Sequence, residues 1–414
     1  MSEKVELWNG TVASQPTGAS WSALFSLGFR PFFLGASVYA VVATSVWIIW
    51  LMTQQPEWIA AGGSPVAWHA HEMVFGFGLA AVAGFLLTAV PNWTGALPLS
   101  GHPLAVLFAV WVAGRIAMMG AGAFPVVFIA VMDLAFVSYL TLLAGRQLLA
   151  RMARRNFIFL VLLALLMIAN ALHHAAVAGL VSIDPVAPMR AGLLILVVMT
   201  TIVGGRIVPA FTHNWLHLNA PDETKPRRYA ALDLVAVVSI ALFALCEISS
   251  VPPVVLSAIA VVAALANGAR LVLWRGWATW RAPILLILHV GYAWIVAGLA
   301  LTGAASLSPE VSSSLALHAF GTGAVGTMVM AVMTRASLGH TGRALVAPRP
   351  IVWAYGLVTI AAVMRTFGIM LFPSLYMPFL MVAALSWIMA FALFVVVYAP
   401  ILASPRLATG QPRA

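Results

Sequence analysis

The stretch Trp68-His69-Ala70-His71-Glu72-Met73-Val74-Phe75-Gly76-Phe77-Gly78 runs on through Gly84-Phe85-Leu86-Leu87-Thr88-Ala89-Val90 to Pro91-Asn92-Trp93-Thr94-Gly95. It is apolar enough and long enough to cross a bilayer, yet two histidines and a glutamate enter it. Ionisable groups at membrane depth are costly and mark function by default. On an α-helix His69, Glu72, Gly76, Ala80 and Gly84 fall near one face, because residues three and four apart are neighbours. The small residues on that face admit another helix or a flat ligand close to the backbone.

The rest of the chain has the same character. Apolar residues make up 63% of the 414 residues and charged residues only 8%. No soluble domain of this size hides so much apolar surface, so the fold class is all-α, a polytopic integral membrane protein. Runs of roughly 18 to 25 apolar residues predict about twelve transmembrane helices: 31–52, 66–90, 104–119, 124–143, 157–180, 189–208, 232–245, 254–273, 283–301, 311–332, 351–372 and 376–403. Pro209 is read as the end of the sixth. Residues 1–30 form an N-terminal and interfacial segment, 31–403 a single transmembrane domain, and 404–414 a tail. The first span is too long for a signal-peptide core and lacks a small-residue cleavage site, so it is expected to be retained.

Charge orients the bundle. Arg146, Arg151, Arg154 and Arg155 follow the fourth span, Lys225, Arg227 and Arg228 the sixth, Arg275 and Arg281 the eighth, and Arg335, Arg343 and Arg349 the tenth. Arg406 and Arg413 lie in the tail, and Arg190 is the exception on the other side. Positive-inside topology then places both termini in the cytoplasm and explains the net charge of +10, so nucleic-acid binding is set aside. With a single cysteine, Cys246, there is no internal disulfide and no multi-cysteine metal site.

This topology gathers His69, His71 and Glu72, His173 and His174, and His318 in the outer half of the membrane, while His289 lies near the inner end of the ninth span. Neutral imidazoles bind haem iron and copper. His173 and His318 are candidate axial ligands and His289 a further candidate cofactor-binding residue; His69, His71, Glu72 and His174 are candidate metal ligands, with His69, His71 and Glu72 holding copper or handling protons. His69 and His71 point to different faces of an α-helix, as do His173 and His174, so at most one of the latter pair is expected at a shared site. Arg115, Asp133 and Arg365 also sit at membrane depth. Two readings stand: Arg115 pairs with Asp133, or Arg115 or Arg365 neutralises a haem propionate. Trp93 and Trp215 read as interfacial anchors. Met328, Met330 and Met333 read as gap-filling side chains.

Five stretches carry a resemblance. Gly28-Phe29-Arg30-Pro31-Phe32-Phe33, Trp68 to Met73, Ala83 to Gly95, Leu288-His289-Val290-Gly291-Tyr292, and Met333 to Arg343 are similar to hallmark motifs of the NnrS family. The resemblance implies a twelve-span protein of the bacterial inner membrane that contains haem b and copper and takes part in nitrosative-stress tolerance. Its partners would be the lipid bilayer and nitric oxide or iron-nitrosyl species. His69, His71, His289, His318 and His340 fall in or beside the matching motifs. Two rival functions use the same residues: a proton-coupled secondary transporter, in which Glu72, Asp133 and the histidines relay protons, and a haem or copper delivery factor.

Overall fold

The computed structural model describes residues 19–407 apart from 56, 152, 153 and 250, so Arg413 and most of the N-terminal segment fall outside the described residues. Among the described residues twelve helices are long and apolar enough to cross a membrane. They are α1 (Phe29–Thr53), α2 (Pro65–Thr94), α3 (His102–Met119), α4 (Val126–Ala150), α5 (Arg154–Val177) and α6 (Ala187–Asn219). Then follow α7 (Ala230–Ile248), α8 (Pro253–Leu273), α9 (Pro283–Leu307), α10 (Ser313–His340), α11 (Arg349–Leu371) and α12 (Pro373–Leu402). The count agrees with the hydropathy reading, and no named strand occurs among the described residues.

Among the boundaries that differ are one at Pro209, read as a stop, and one beyond the expected end of the second span at 90. Helix α6 runs past Pro209 to Asn219, and α2 past Pro91 to Thr94. A proline removes one backbone hydrogen bond, but within a membrane bundle the neighbouring helices hold the chain in register and the helix continues.

Contacts between helix ends fix the antiparallel order. At one face the start of α1 meets the end of α10, with the Phe29 and His340 rings 5.5 Å apart. Arg30 donates to the carbonyls of Leu402 at 2.7 Å and Ser404 at 2.6 Å, tying the start of α1 to the end of α12. At the opposite face, called the far face below, the end of α1 stacks Trp47 on His69 of α2, and the end of α5 brings His173 to 4.8 Å from His71. Buried share decides which helices are central: 72% for α2 and 67% each for α6, α9 and α10, against 28% for α4.

Three spans are interrupted by π-helical turns, at Glu72–Gly78, Ala319–Gly326 and Met364–Gly368. Each begins within one residue of an ionisable group: Glu72, His318 or Arg365. A π turn fits one extra residue into the helix, so it rotates the side chains before it relative to those after it, and such turns concentrate at functional sites. The glycines of the second π turn admit aromatic rings. A Cβ on Gly323 would lie 2.5 Å from the Trp294 ring, and one on Gly326 2.4 Å from the Trp387 ring. Overpacking of this kind costs about 1–3 kcal/mol. Gly326→Ala is therefore expected to lower the thermal midpoint of the detergent-solubilised protein by several degrees; an unchanged midpoint would show that Trp387 has room to move.

Candidate haem and metal sites at the far face

Five helices send polar side chains to one buried point. Asp133 of α4 is its centre. Its Oδ2 accepts from Asn170 Nδ2 at 2.7 Å and lies 2.9 Å from His174 Nε2 and 3.0 Å from His71 Nε2. Arg115 of α3 donates to Asp133 Oδ1 through Nη2, and to Glu72 Oε1 and Oε2 through Nη1 at 2.9 and 2.7 Å. Tyr39 of α1 donates to Glu72 Oε2. His71 Nδ1 lies 2.8 Å from Glu72 Oε1. Every one of these side chains is buried.

Charge bookkeeping constrains this cluster. Two carboxylates face one guanidinium, which leaves one negative charge in a low-dielectric interior where it is costly. Both ring nitrogens of His71 face carboxylate oxygens, which only accept. The ring is therefore satisfied either as an imidazolium donating at both nitrogens, or as a neutral imidazole whose Nε2 lone pair meets a cation. A bound cation suits the same geometry: one ligand atom each from His71, Asp133 and His174 lie within 4.8 Å of one another.

On the other side of α2 lies a cavity of about 290 Å³. His69, His318, Arg365, Arg190 and Trp47 line it, and the remaining wall is mainly aliphatic. His318 Nδ1 lies 2.7 Å from the Ser314 carbonyl, so Nδ1 carries the hydrogen and Nε2 presents a lone pair. Metal-binding histidines are held in this way. His69 stacks on Trp47 at 4.5 Å, and its Nδ1 is buried without a hydrogen-bond partner. Arg365 Nη2 donates to Ser314 Oγ at 3.0 Å. Gly321 opens the wall.

The candidates thus divide. His71, Glu72 and His174 share the cluster, and Arg115 pairs there with both Glu72 and Asp133. His69 is set apart from them and shares the cavity with His318 and Arg365. The expectation that His69 and Glu72 share a face is not met: Glu72, where the π turn starts, joins His71, while His69 lines the cavity. His173 touches the cluster by stacking on His71, but its Nδ1 donates to the Pro185 carbonyl at 2.9 Å and its Nε2 is buried without a partner. His289 lies at the opposite end of the bundle, with Nε2 2.9 Å from Thr212 Oγ1 and its ring packed on Gly276. It joins neither site.

Sequence reading passed over Tyr39, Asn170, Trp47 and Arg190. Asn170 had a signal: it precedes His173 and His174 by three and four residues, which places an amide on their helix face. Tyr39 and Trp47 had none, because an aromatic in an apolar span reads as packing.

Fold and site together define a twelve-helix membrane protein with a buried histidine–carboxylate centre beside a lined cavity. A family model described as NnrS protein matches residues 23–406. The chain belongs to the NnrS family, and its membership links it to the membrane proteins of the nitric oxide response. No curated protein matches the chain.

Proposed function

We propose that the protein binds nitric oxide or its iron adducts at a haem held in the far-face cavity, with a copper ion at His71, Asp133 and His174. The observation that carries this reading is His318, which lines the cavity with His69 and Arg365 and whose Nδ1 is occupied by the Ser314 carbonyl, leaving its Nε2 without a hydrogen-bond partner among the described residues.

The residues fit a haem. Imidazoles from two helices line one apolar cavity, and the guanidiniums of Arg365 and Arg190 suit propionate carboxylates. In this assignment His318 and His69 hold the group, and Arg115, already engaged by Glu72 and Asp133, takes no part. When bound, the iron supplies a coordination site for nitric oxide, a small apolar molecule that arrives through lipid. Trp47, Phe77 and Trp387 contribute apolar wall that disfavours water beside it.

The second cluster fits copper by its donors, two imidazoles and a carboxylate. Arg115 and Tyr39 hold Glu72 beside His71, so Glu72 orients the His71 ring through Nδ1 and sets which nitrogen faces the metal. The basic loops all lie at the face where α1 begins, which we assign to the cytoplasm of a bacterial inner membrane, leaving both sites toward the outer side.

Transport fits less well. Toward the opposite face lies a small separate cavity of about 80 Å³ lined by Phe33, Phe85, Leu196, Val325 and Met328 among others, with no charged group. An ion crossing there would lose its hydration without compensation.

The test is a spectrum. Detergent-purified wild type is expected to show a Soret band at about one haem per chain, and His318→Ala to lose most of it; His289→Ala, away from the cavity, is expected to keep it. Equal haem content in wild type, His318→Ala and His69→Ala would overturn the axial assignment. Haem or copper that is substoichiometric and washes out would favour the delivery factor.

A further inference from the structure

At the face where α1 begins, a second cavity of about 370 Å³ opens between α1, α2, α6, α9 and α10. Neither the haem nor the copper reading uses it. Four of the five stretches that carry the family resemblance meet there, through Phe33, Trp93, Leu288 and Arg335. The sequence motifs outside Trp68 to Met73 therefore converge on a space rather than on a packed contact.

The chemistry of the wall narrows what fills it. Aromatic rings dominate, and Phe29, Phe33, Phe85 and Trp93 line it together with Phe211. Arg335 lies with its guanidinium 4.0 Å from the centre of the Phe211 ring and makes no ion pair or hydrogen bond among the described residues. A guanidinium at the inner end of a span, half-buried against an aromatic ring and without a carboxylate partner, is open to an oxygen acceptor on a ligand in the cavity. His340, its ring against Phe29, has no hydrogen bond among the described residues either. Across the cavity Asn92 donates its amide to the Thr88 carbonyl at 3.0 Å, which leaves Asn92 Oδ1 as an acceptor. So the wall offers donors and an acceptor around flat apolar surfaces. A phosphate headgroup would pair with Arg335 by charge but has no flat surface for the rings, whereas a planar ring can stack on them. A quinone ring brings carbonyl oxygens for Arg335 and His340, and its reduced form a hydroxyl for Asn92.

We infer that this cavity binds the ring of a membrane quinone or quinol, with Arg335 and His340 donating to its oxygen and Asn92 accepting from the reduced form. The site stands independently of the haem assignment, because no residue of the far-face cavity lines it.

The experiment is equilibrium binding of decylubiquinone to the full-length protein purified in detergent, with phosphatidylglycerol as competitor. The expected result is saturable binding at about one per chain. Arg335→Gln is expected to weaken it about tenfold or more, since a hydrogen bond to a charged group is worth about 1.5–3 kcal/mol. Ala89→Trp, which fills the cavity without removing a polar group, is expected to abolish it, and His318→Ala to leave it unchanged. Asn92 is exposed, so Asn92→Leu spares the core and is expected to weaken the reduced ligand more than the oxidised one. Absence of saturable binding, binding indifferent to Arg335→Gln and Ala89→Trp, or displacement of the quinone by phosphatidylglycerol at lower concentration than by unlabelled quinone would each overturn the inference, the last in favour of a lipid headgroup site. Haem content measured on the same samples reports on the other reading separately.

Discussion

Arg115→Met is expected to give the largest loss of folded protein of any single change in the bundle. Arg115 is 4% exposed and donates to both Glu72 and Asp133, themselves buried. Removing one partner of a buried ion pair leaves uncompensated charge and costs about 3–5 kcal/mol, against a total stability of about 5–15 kcal/mol. Here two carboxylates lose their guanidinium at once. Fluorescence-detected size-exclusion chromatography of membranes extracted in mild detergent should show little monodisperse Arg115→Met protein. Two comparisons isolate the cause. Glu72→Gln combined with Arg115→Met removes one negative charge with the positive one and should recover part of the peak. Arg365→Met loses only the bond to Ser314 Oγ and should fold nearly as wild type. A normal peak for Arg115→Met would mean that the carboxylates take up protons, or another cation, without strain.

His174→Ala is expected to remove the bound copper while sparing the fold. Of the two histidines at Asp133, His174 is the cleaner probe, because Asp133 is its sole hydrogen-bond partner among the described residues, whereas His71 also holds Glu72. Loss of a group that only orients a ligand weakens metal binding about 10–100-fold, so loss of a ligand should cost more. Elemental analysis after copper loading should find close to one copper per chain in wild type and almost none in His174→Ala. His173→Ala serves as the control: it lies outside the group of ligand atoms that come within 4.8 Å of one another, and it should retain copper. Copper content equal in His174→Ala and wild type would remove the metal from this cluster and leave His71 as an imidazolium inside a structural ion network.

How far the sequence carried is clear from particular residues. Twelve spans were legible because lipid demands unbroken apolar length, a requirement that hydropathy reads directly. Pro209 misled, because the rule that proline ends a helix belongs to helices in water more than to helices packed among neighbours. The histidines were legible as a group, since their depth along each span follows from counting residues. Their division was legible only in part: His69 and His71 fall on different faces by α-helical geometry, whereas Glu72, expected beside His69, joins His71 at the start of the π turn Glu72–Gly78. Nothing in Glu72-Met73-Val74-Phe75-Gly76 announces an extra residue per turn beyond its one glycine. The Arg115–Asp133 pair was anticipated as one of two readings; that Glu72 and Tyr39 join it follows only from the packing of α1 against α2 and α3. Arg335 and His340 read as parts of a basic loop, and their cavity exists only once α1, α2 and α6 close around them.

The most direct measurement is the visible spectrum of the purified protein, oxidised, reduced with dithionite, and reduced in the presence of nitric oxide, with haem and protein quantified on the same sample. A Soret band at about one haem per chain that shifts on adding nitric oxide, and that His318→Ala abolishes, is the predicted result. A colourless protein purified from haem-replete cells, or a band indifferent to both nitric oxide and His318, would contradict it.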